Sequence, residues 1–365
     1  MLVIHKNKKK CVPEGKGNMR NFNFALIVLV LTYLIYVYPL GLLLHLLFAT
    51  DIYHPSLLLL SCILSALIFL YLRTHLSSPL LRGITHYGLG IGFLGFCIFN
   101  TGLLASSVLP ENRVEIGVLS LVTFLSVCGY SLIQGRSIKI KSLEFNSPKV
   151  ARPHRLIFIS DVHLGSNPSS HAEKICRLIR PLDFDYLLIG GDLFDSSSFV
   201  PDELHPFLDI KQPIYFVTGN HEYYVKDHRR KLEQLKRFKI NTLDNQTQTI
   251  GSLNLIGISD NQHIRRQADI VCDLIDETKF NLLMIHQPSV WEAVSGSVDL
   301  MLSGHTHKGQ ILPFNLFVRM QFKTVYGLFT AKGSHLYVSS GSGTWGPRMR
   351  LGTQNEIVKI AIRPR

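Results

Sequence analysis

An all-α membrane bundle followed by an α/β domain is the architecture that this sequence predicts, and three observations carry it. Four long uncharged apolar stretches crowd the first third of the 365 residues. From Arg155 the pattern changes to short β-rich runs separated by helical or polar segments. Nearly every one of those runs then ends in a side chain able to bind a metal.

The apolar stretches are Phe24–Thr50, Ile52–Leu72, Gly83–Leu109 and Ile116–Ile133. Each has about the length a helix needs to cross ~30 Å of hydrocarbon at ~1.5 Å rise per residue. No small-residue cleavage site follows the first, so it reads as an anchor rather than a removed leader. Loop charge sets the orientation. Lys6, Lys8, Lys9, Lys10, Lys16 and Arg20 precede the first span, Arg73 and Arg82 lie between the second and third, and Arg136, Lys139, Lys141, Lys149, Arg152 and Arg155 follow the fourth. The alternate loops carry only Arg113, so the positive-inside rule predicts an integral membrane protein with both termini cytoplasmic. Most of the formal net charge of +12 is accounted for in this way, since residues 1–150 hold 13 Lys/Arg against 5 Asp/Glu. The basic excess is a topology signal, with some attraction to anionic headgroups, and indicates no nucleic-acid partner.

No span contains Asp, Glu, Lys or Arg, which speaks against a transporter or pump and for an anchor. Gly88 and Gly92 in the third span fit a small-xxx-small spacing and predict close helix packing. Six scattered cysteines without a C-x-x-C pair indicate neither a disulfide framework nor a zinc knuckle. The predicted organisation is a basic cytoplasmic N-terminus (1–20), a four-span domain (21–134), a basic linker with Pro148 and Pro153 (135–154), and an α/β domain (155–365). Strands are expected at 155–161, 185–192, 213–220, 253–260, 281–287, 298–305, 335–341 and 356–362, with helices near 171–180 and 223–239.

The strand ends carry the chemistry. "SDVHLG" supplies Asp161 and His163, "GGDLFD" supplies Asp192 and Asp195, and "GNHE" supplies Asn220 and His221. The fifth run ends at His286, and "GHTH" supplies His305 and His307. Singly, each has an ordinary explanation as a cap, a turn residue or a loop histidine. Together, in order and all at strand ends, they mark a ligand site of an open α/β sheet. Carboxylate, amide oxygen and imidazole without thiolate suit Mn, Fe, Zn or Co. Seven ligands are too many for one tetrahedral ion and suit two divalent metal ions sharing a carboxylate, the clamp used for phosphoryl displacement.

The series "DVH … GGDLFD … GNHE … H … GHTH" resembles the calcineurin-like metallophosphoesterases over residues 155–345. The resemblance implies a four-layer α-β-β-α sandwich. It also implies that Asp161, His163 and His307 hold one metal, that Asn220, His286 and His305 hold the other, and that Asp192 bridges both. His221 then matches the histidine that stabilises the transition state and protonates the leaving oxygen after attack by a metal-bridging hydroxide. Asp195 is expected behind the ligands, orienting an imidazole. The tail "GSGTWGPRMRLGTQNEI" (341–357) resembles the membrane-anchored branch of that family, the bacterial membrane phosphodiesterases.

The reading is therefore a membrane-anchored phosphohydrolase acting on phosphodiester or pyrophosphate bonds, with the lipid bilayer and lipid-linked substrates as partners. Alternatives are an enzyme of the UDP-2,3-diacylglucosamine pyrophosphohydrolase type and a non-catalytic scaffold, although such scaffolds usually lose ligands that are all present here. One segment stays open. Leu312–Phe329 is unusually apolar, with Arg319 and Lys323 interspersed, and is either an element packed on the core or an apolar lip that dips into the bilayer.

Overall fold

Runs of Leu, Ile, Val and Phe uninterrupted by charge satisfy their backbone polar groups internally, as helices. The computed structural model describes residues 15–74 and 78–365, so Lys6, Lys8, Lys9 and Lys10 of the predicted basic terminus lie outside the described residues. The first helices are α1 (Gly15–Thr32), α2 (Tyr38–Phe48), α3 (Pro55–Thr74), α4 (Pro79–Val108) and α5 (Arg113–Arg136). Asn23–Phe48, Pro55–Thr74, Leu80–Val108 and Pro110–Arg136 are each long and apolar enough to cross a membrane. Leu59, Leu104 and Leu119 are 63–69% exposed, a surface that water would penalise and hydrocarbon would not.

α1 and α2 are joined by a π-helical turn, Tyr33–Val37, rather than a break. Pro39 has no N–H for the Ile35 carbonyl, and the Tyr38 N–H bonds instead to Tyr33 O, five residues back. α4 lies against this turn through its glycines. A Cβ on Gly92 would stand 1.9 Å from the Ile35 carbonyl oxygen, and one on Gly88 would stand 2.3 Å from the Tyr36 ring. The small-residue spacing is thus explained by helix packing.

The chain divides into two compact units, Met1–Leu125 and Ser126–Arg365, so the end of α5 belongs to the second. In the second unit the strands are β1 (Ile138–Ser147), β2 (His154–Ile159), β3 (Tyr186–Gly190), β4 (Ile214–Val217), β5 (Ile240–Thr242), β6 (Gln246–Ile250), β7 (Leu253–Ile258), β8 (Phe280–Ile285), β9 (Leu300–Ser303), β10 (Gly327–Ala331), β11 (Ser334–Val338) and β12 (Asn355–Pro364). Its helices are α6 (Ser169–Ile179), α7 (Asn220–Tyr224), α8 (His228–Gln234), α9 (Ile264–Asp273), α10 (Trp291–Val294) and α11 (Asn315–Gln321). Two six-stranded sheets form, in the orders β1-β12-β2-β3-β4-β5 and β10-β11-β9-β8-β7-β6.

Period-two alternation assigns each strand residue to a layer. Leu156, Phe158 and Leu188 of the first sheet meet Leu282, Met284, Leu300 and Leu302 of the second in one core between the sheets. Ile157, Ile159, Leu187 and Ile189 turn the other way onto α6 through Ile175, Cys176 and Ile179. Leu283, Ile285 and Met301 face Val271, Trp291 and Val294 of α9 and α10. Helix, sheet, sheet and helix make the expected four layers. The strands β2, β3 and β4 run parallel, as do β7, β8 and β9, so their carboxyl ends deliver the metal-competent loops of both sheets.

The segment read as a linker, 135–154, differs from expectation. Residues 138–147 form β1, paired in parallel with β12 from Ile138↔Asn355 to Ser147↔Pro364. Its apolar positions Ile138, Leu143 and Phe145 pack on the cores, Lys139 is exposed on this edge strand, where charge is tolerated, and the half-buried Lys141 lies over the Tyr326 and Tyr337 rings.

Gly92→Ala should lower the melting temperature of the detergent-solubilised chain by several degrees, because overpacking costs roughly 1–3 kcal/mol. Gly83→Ala, where a Cβ meets nothing within 4 Å, should leave it unchanged. Equal melting of both variants would remove the packing role of Gly92.

Candidate metal centre

In three of the loops that leave strand ends, the chain turns at ligand candidates as well as at glycines. Asp161, His163, Asp192, His305 and His307 all lie in the left-handed region, at φ of 54°, 52°, 52°, 72° and 48°. Side chains rarely adopt that conformation, and each instance costs on the order of 1–3 kcal/mol unless its surroundings over-determine it. Here they do. Asp161 N–H donates to Gly191 O, His163 N–H to Asp192 O, and Gly304 N–H to His286 O, each at 2.9 Å. The His305 N–H donates to Asp161 Oδ1 at 3.0 Å, and the His221 N–H to Asp192 Oδ1 at 2.9 Å. Gly304 and Gly219 permit the close approach of the two carboxylates, since a Cβ would lie 2.2 Å from Asp161 Oδ2 at the first and 2.2 Å from Asp192 Oδ1 at the second.

These turns bring two sets of donors together. In the first, His163 Nε2 lies 3.0 Å from His307 Nε2, and Asp161 Oδ1 lies 3.4 Å from His307 Nε2 and 3.9 Å from His163 Nε2. In the second, Asp192 Oδ2 lies 3.0 Å from His286 Nε2, which is 3.3 Å from His305 Nδ1. Asp192 Oδ2 is also 3.8 Å from His163 Nε2, so this carboxylate links the sets. His286 Nδ1 donates to Gly190 O at 2.8 Å, which leaves the Nε2 lone pair of the neutral ring facing an acceptor oxygen. Lone pairs opposed at hydrogen-bond distance require a cation or extra protons between them. The donor set fits two divalent ions. Asn220 opens α7 beside His221, and its Oδ1 is buried with no hydrogen-bond partner, a further acceptor awaiting an electrophile.

A third grouping, His163, Asp195 and His221, also has ligand atoms within reach of one another. Its carboxylate is already engaged. Asp195 Oδ1 accepts from Ser166 N–H at 2.9 Å and Oδ2 from Ser166 Oγ–H at 2.5 Å. Asp195 Oδ2 sits 3.2 Å from His163 Nδ1, the ring atom turned away from the first set. His221 stands apart from both sets, its Nε2 4.0 Å from Asp192 Oδ2 and its ring packed edge-on to His163.

Electrostatics separate the histidines into two classes. Burial disfavours a proton on His286, but Asp192 and Asp161 outweigh it and hold its pKa well above the usual range. His163 is likewise raised against burial, by Asp195 and then Asp192. Burial and the charge on His286 push His305 down to about 3, and burial with His163 and Arg350 holds His307 well below normal. His221 falls to about 4 for the same reasons of burial and the nearby His163. Burial raises the Asp161 carboxyl, while His286 overcomes burial at Asp192 and lowers it.

Two residues that the sequence reading passed over hold this frame. Glu222 is fully buried and accepts from the N–H groups of Gly219, Asp192 and Phe194 at 2.7, 3.1 and 3.1 Å, tying the second loop to the third. Burial and the charge on Asp192 push its carboxyl up to about 8. Its one signal is the last letter of "GNHE". Arg350 is a completely buried guanidinium that donates to His307 O at 2.8 Å, Ser340 O at 2.6 Å, Gly343 O at 2.7 Å and Asn355 Oδ1 at 2.9 Å. It clamps the tail 340–355 onto the back of the "GHTH" loop.

Comparisons with known proteins agree with this geometry. A family described as calcineurin-like phosphoesterase matches residues 154–309. An uncharacterized metallophosphoesterase of Helicobacter pylori is 32% identical, over 74% of this chain and 78% of its own length. One from Campylobacter jejuni is 31% identical, over 67% and 69%. A transmembrane protein with metallophosphoesterase domain from Danio rerio is 28% identical, over 74% and 69%.

Since His163 and His286 are the raised pair, they hold protons in the metal-free protein that an entering cation must displace. Metal uptake by the EDTA-stripped chain should therefore release protons and should weaken as pH falls. Calorimetry in buffers of different ionisation enthalpy checks this, and a buffer-independent heat would contradict it.

Proposed function

The chain belongs to the calcineurin-like metallophosphoesterases, and from that premise we propose that it is a membrane-anchored phosphohydrolase cleaving phosphodiester or pyrophosphate bonds of membrane-associated substrates. The observation that carries this reading is the place of Asp192. One carboxylate oxygen lies within 4 Å of imidazoles from both donor sets, and the other is fixed by the backbone of His221. In this reading Asp161, His163 and His307 hold one divalent ion, Asn220, His286 and His305 hold the other, and Asp192 is shared. Two such ions, of Mn, Fe, Zn or Co type, supply an activated water at neutral pH and offset charge on the phosphoryl oxygens.

The chain's own residues do the rest. Asp195 orients His163, and Glu222 and Arg350 keep the loops from relaxing. His221 binds neither ion and delivers a proton to the departing oxygen. With its pKa near 4 it is neutral before substrate arrives. An anionic phosphoryl group beside it favours the imidazolium, so its protonation is coupled to substrate binding.

Four apolar helices and the transmembrane relatives make this a membrane protein. The basic loops support a cytoplasmic site for both ends, in a bacterial inner membrane. A complete ligand set favours hydrolysis over a scaffold role.

Asp192→Asn should abolish turnover and reduce bound metal at both positions. His221→Ala should retain its metal and lose roughly 10²–10⁴-fold in rate on a diester with an alkoxide leaving group. The loss should shrink for p-nitrophenolate, which departs without a proton. Metal analysis with rates on both substrates tests the assignment, and an empty His221 variant, or equal losses on the two leaving groups, would overturn the acid role.

A further inference from the structure

The helix that follows "GHTH", α11, is not packed on the core. Within α11 and its approach, Leu316 and Phe317 are about 60% exposed, at 58% and 60%, and Met320 is 84% exposed, while no residue of the helix is buried. The sequence reading of a partly buried strand pair or a core-packed helix therefore holds only for the end of the segment, where β10 pairs with β11 and Phe329 packs on the core, while α11 itself stays off the core. Phe322 is different. Its ring lies edge-on to His305 at 5.3 Å, so the helix is bound at its far end to the metal centre.

Two cavities of about 400 Å³ each flank the segment and share Lys308, Tyr326, Gly352 and Thr353 in their walls. One also has Tyr130, Lys139, Lys141 and Glu356 in its wall, and the other Arg319 and Lys323. The cations converge, with Lys141 Nζ 4.9 Å and Lys308 Nζ 4.4 Å from the Tyr326 ring centre. Their negative neighbours are spent. Glu356 accepts from Tyr326 Oη–H, Tyr337 Oη–H and Ser340 N–H, and Glu292 pairs with Lys323 in an exposed bridge of little energetic weight.

A contact path ties the same segment to the last turns of a membrane-crossing helix. The Arg350 N–H donates to Ser131 O of α5, and the next residue, Leu351, accepts from the Leu312 N–H at 3.1 Å, at the approach to α11. Tyr130 of α5 is itself in the wall of the first cavity. The basic cavities and the exposed apolar face thus lie within one unit that includes the end of a bilayer-spanning segment. Apolar side chains that enter the acyl boundary, with cations at headgroup level, are the pattern of an interfacial lipid site.

We propose that these cavities and α11 bind one anionic glycerophospholipid of the bilayer. Lys141, Lys308 and Arg319 hold its phosphate, and its acyl chains lie along Leu316, Phe317 and Met320. The site adjoins His305 and His307 but requires no metal, so it stands independently of the hydrolytic reading.

The test is native mass spectrometry of the full chain in detergent with EDTA, titrated with dioctanoylphosphatidylglycerol, dioctanoylphosphatidylcholine and glycerol phosphate. The wild type should take up one phosphatidylglycerol in preference to phosphatidylcholine. Lys308→Gln with Arg319→Gln should weaken that adduct about tenfold or more. Phe317→Ser with Met320→Ser should weaken the lipid adduct while leaving glycerol phosphate binding unchanged, and melting temperatures of both variants should match the wild type. Equal lipid affinity in all three proteins would place the lipid on the apolar spans and overturn the proposal. So would wild-type affinity for glycerol phosphate equal to that for the lipid, or no preferred lipid adduct at all. Hydrolysis without lipid binding would sink this site alone, and lipid binding without hydrolysis would sink only the enzymatic reading.

Discussion

Asp161 and Asp192 are fully buried carboxylates whose oxygens lie at the meeting point of two sheets, and the cost of keeping them there organises the second unit. A buried charge is tolerated only when paired and hydrogen-bonded. The protein supplies backbone N–H donors from His305 and His221 and imidazoles from His163, His286 and His307. That compensation demands turns in an unfavourable backbone conformation at five of the predicted ligands. Strain and charge burial are thus two faces of one constraint.

The architecture serves that constraint. Parallel strands in each sheet aim their carboxyl ends the same way, so Asp161, His163, Asp192 and Asn220 follow β2, β3 and β4, and His286, His305 and His307 follow β8 and β9. The core between the sheets, from Phe158 and Leu188 to Leu282 and Leu302, fixes the distance across which Asp192 and His286 meet. Behind the loops, Glu222 and Arg350 act as opposite kinds of fastener, a buried carboxyl collecting amide N–H groups and a buried cation collecting carbonyls. Neither touches the donor atoms, yet both set where those atoms are.

Much of this was legible in the amino-acid order. Strands such as "RLIFISD" and "NLLMIHQ" are short apolar runs bounded by turn residues, and the ligands follow at their ends. β1 was not read as a strand because Lys139, Lys141 and two prolines resembled a tether, and its partner β12 lies more than two hundred residues away. The edge strands β5, β6 and β10 are short or polar, and no local pattern announces them. Arg350 escaped notice because a buried arginine cannot be told from a surface one until its carbonyl partners, His307 and Ser340 among them, are folded around it. The apolar segment from Leu312 could not be resolved from composition alone, since exposure is a tertiary property.

Anomalous diffraction from crystals of the manganese-loaded protein tests the central claim most directly. The account predicts two cation peaks roughly 3.5–4 Å apart, with Asp192 between them, His163 and His307 on one, His286 and His305 on the other, and His221 bonded to neither. A single peak, or a cation seated among His163, Asp195 and His221, would contradict it.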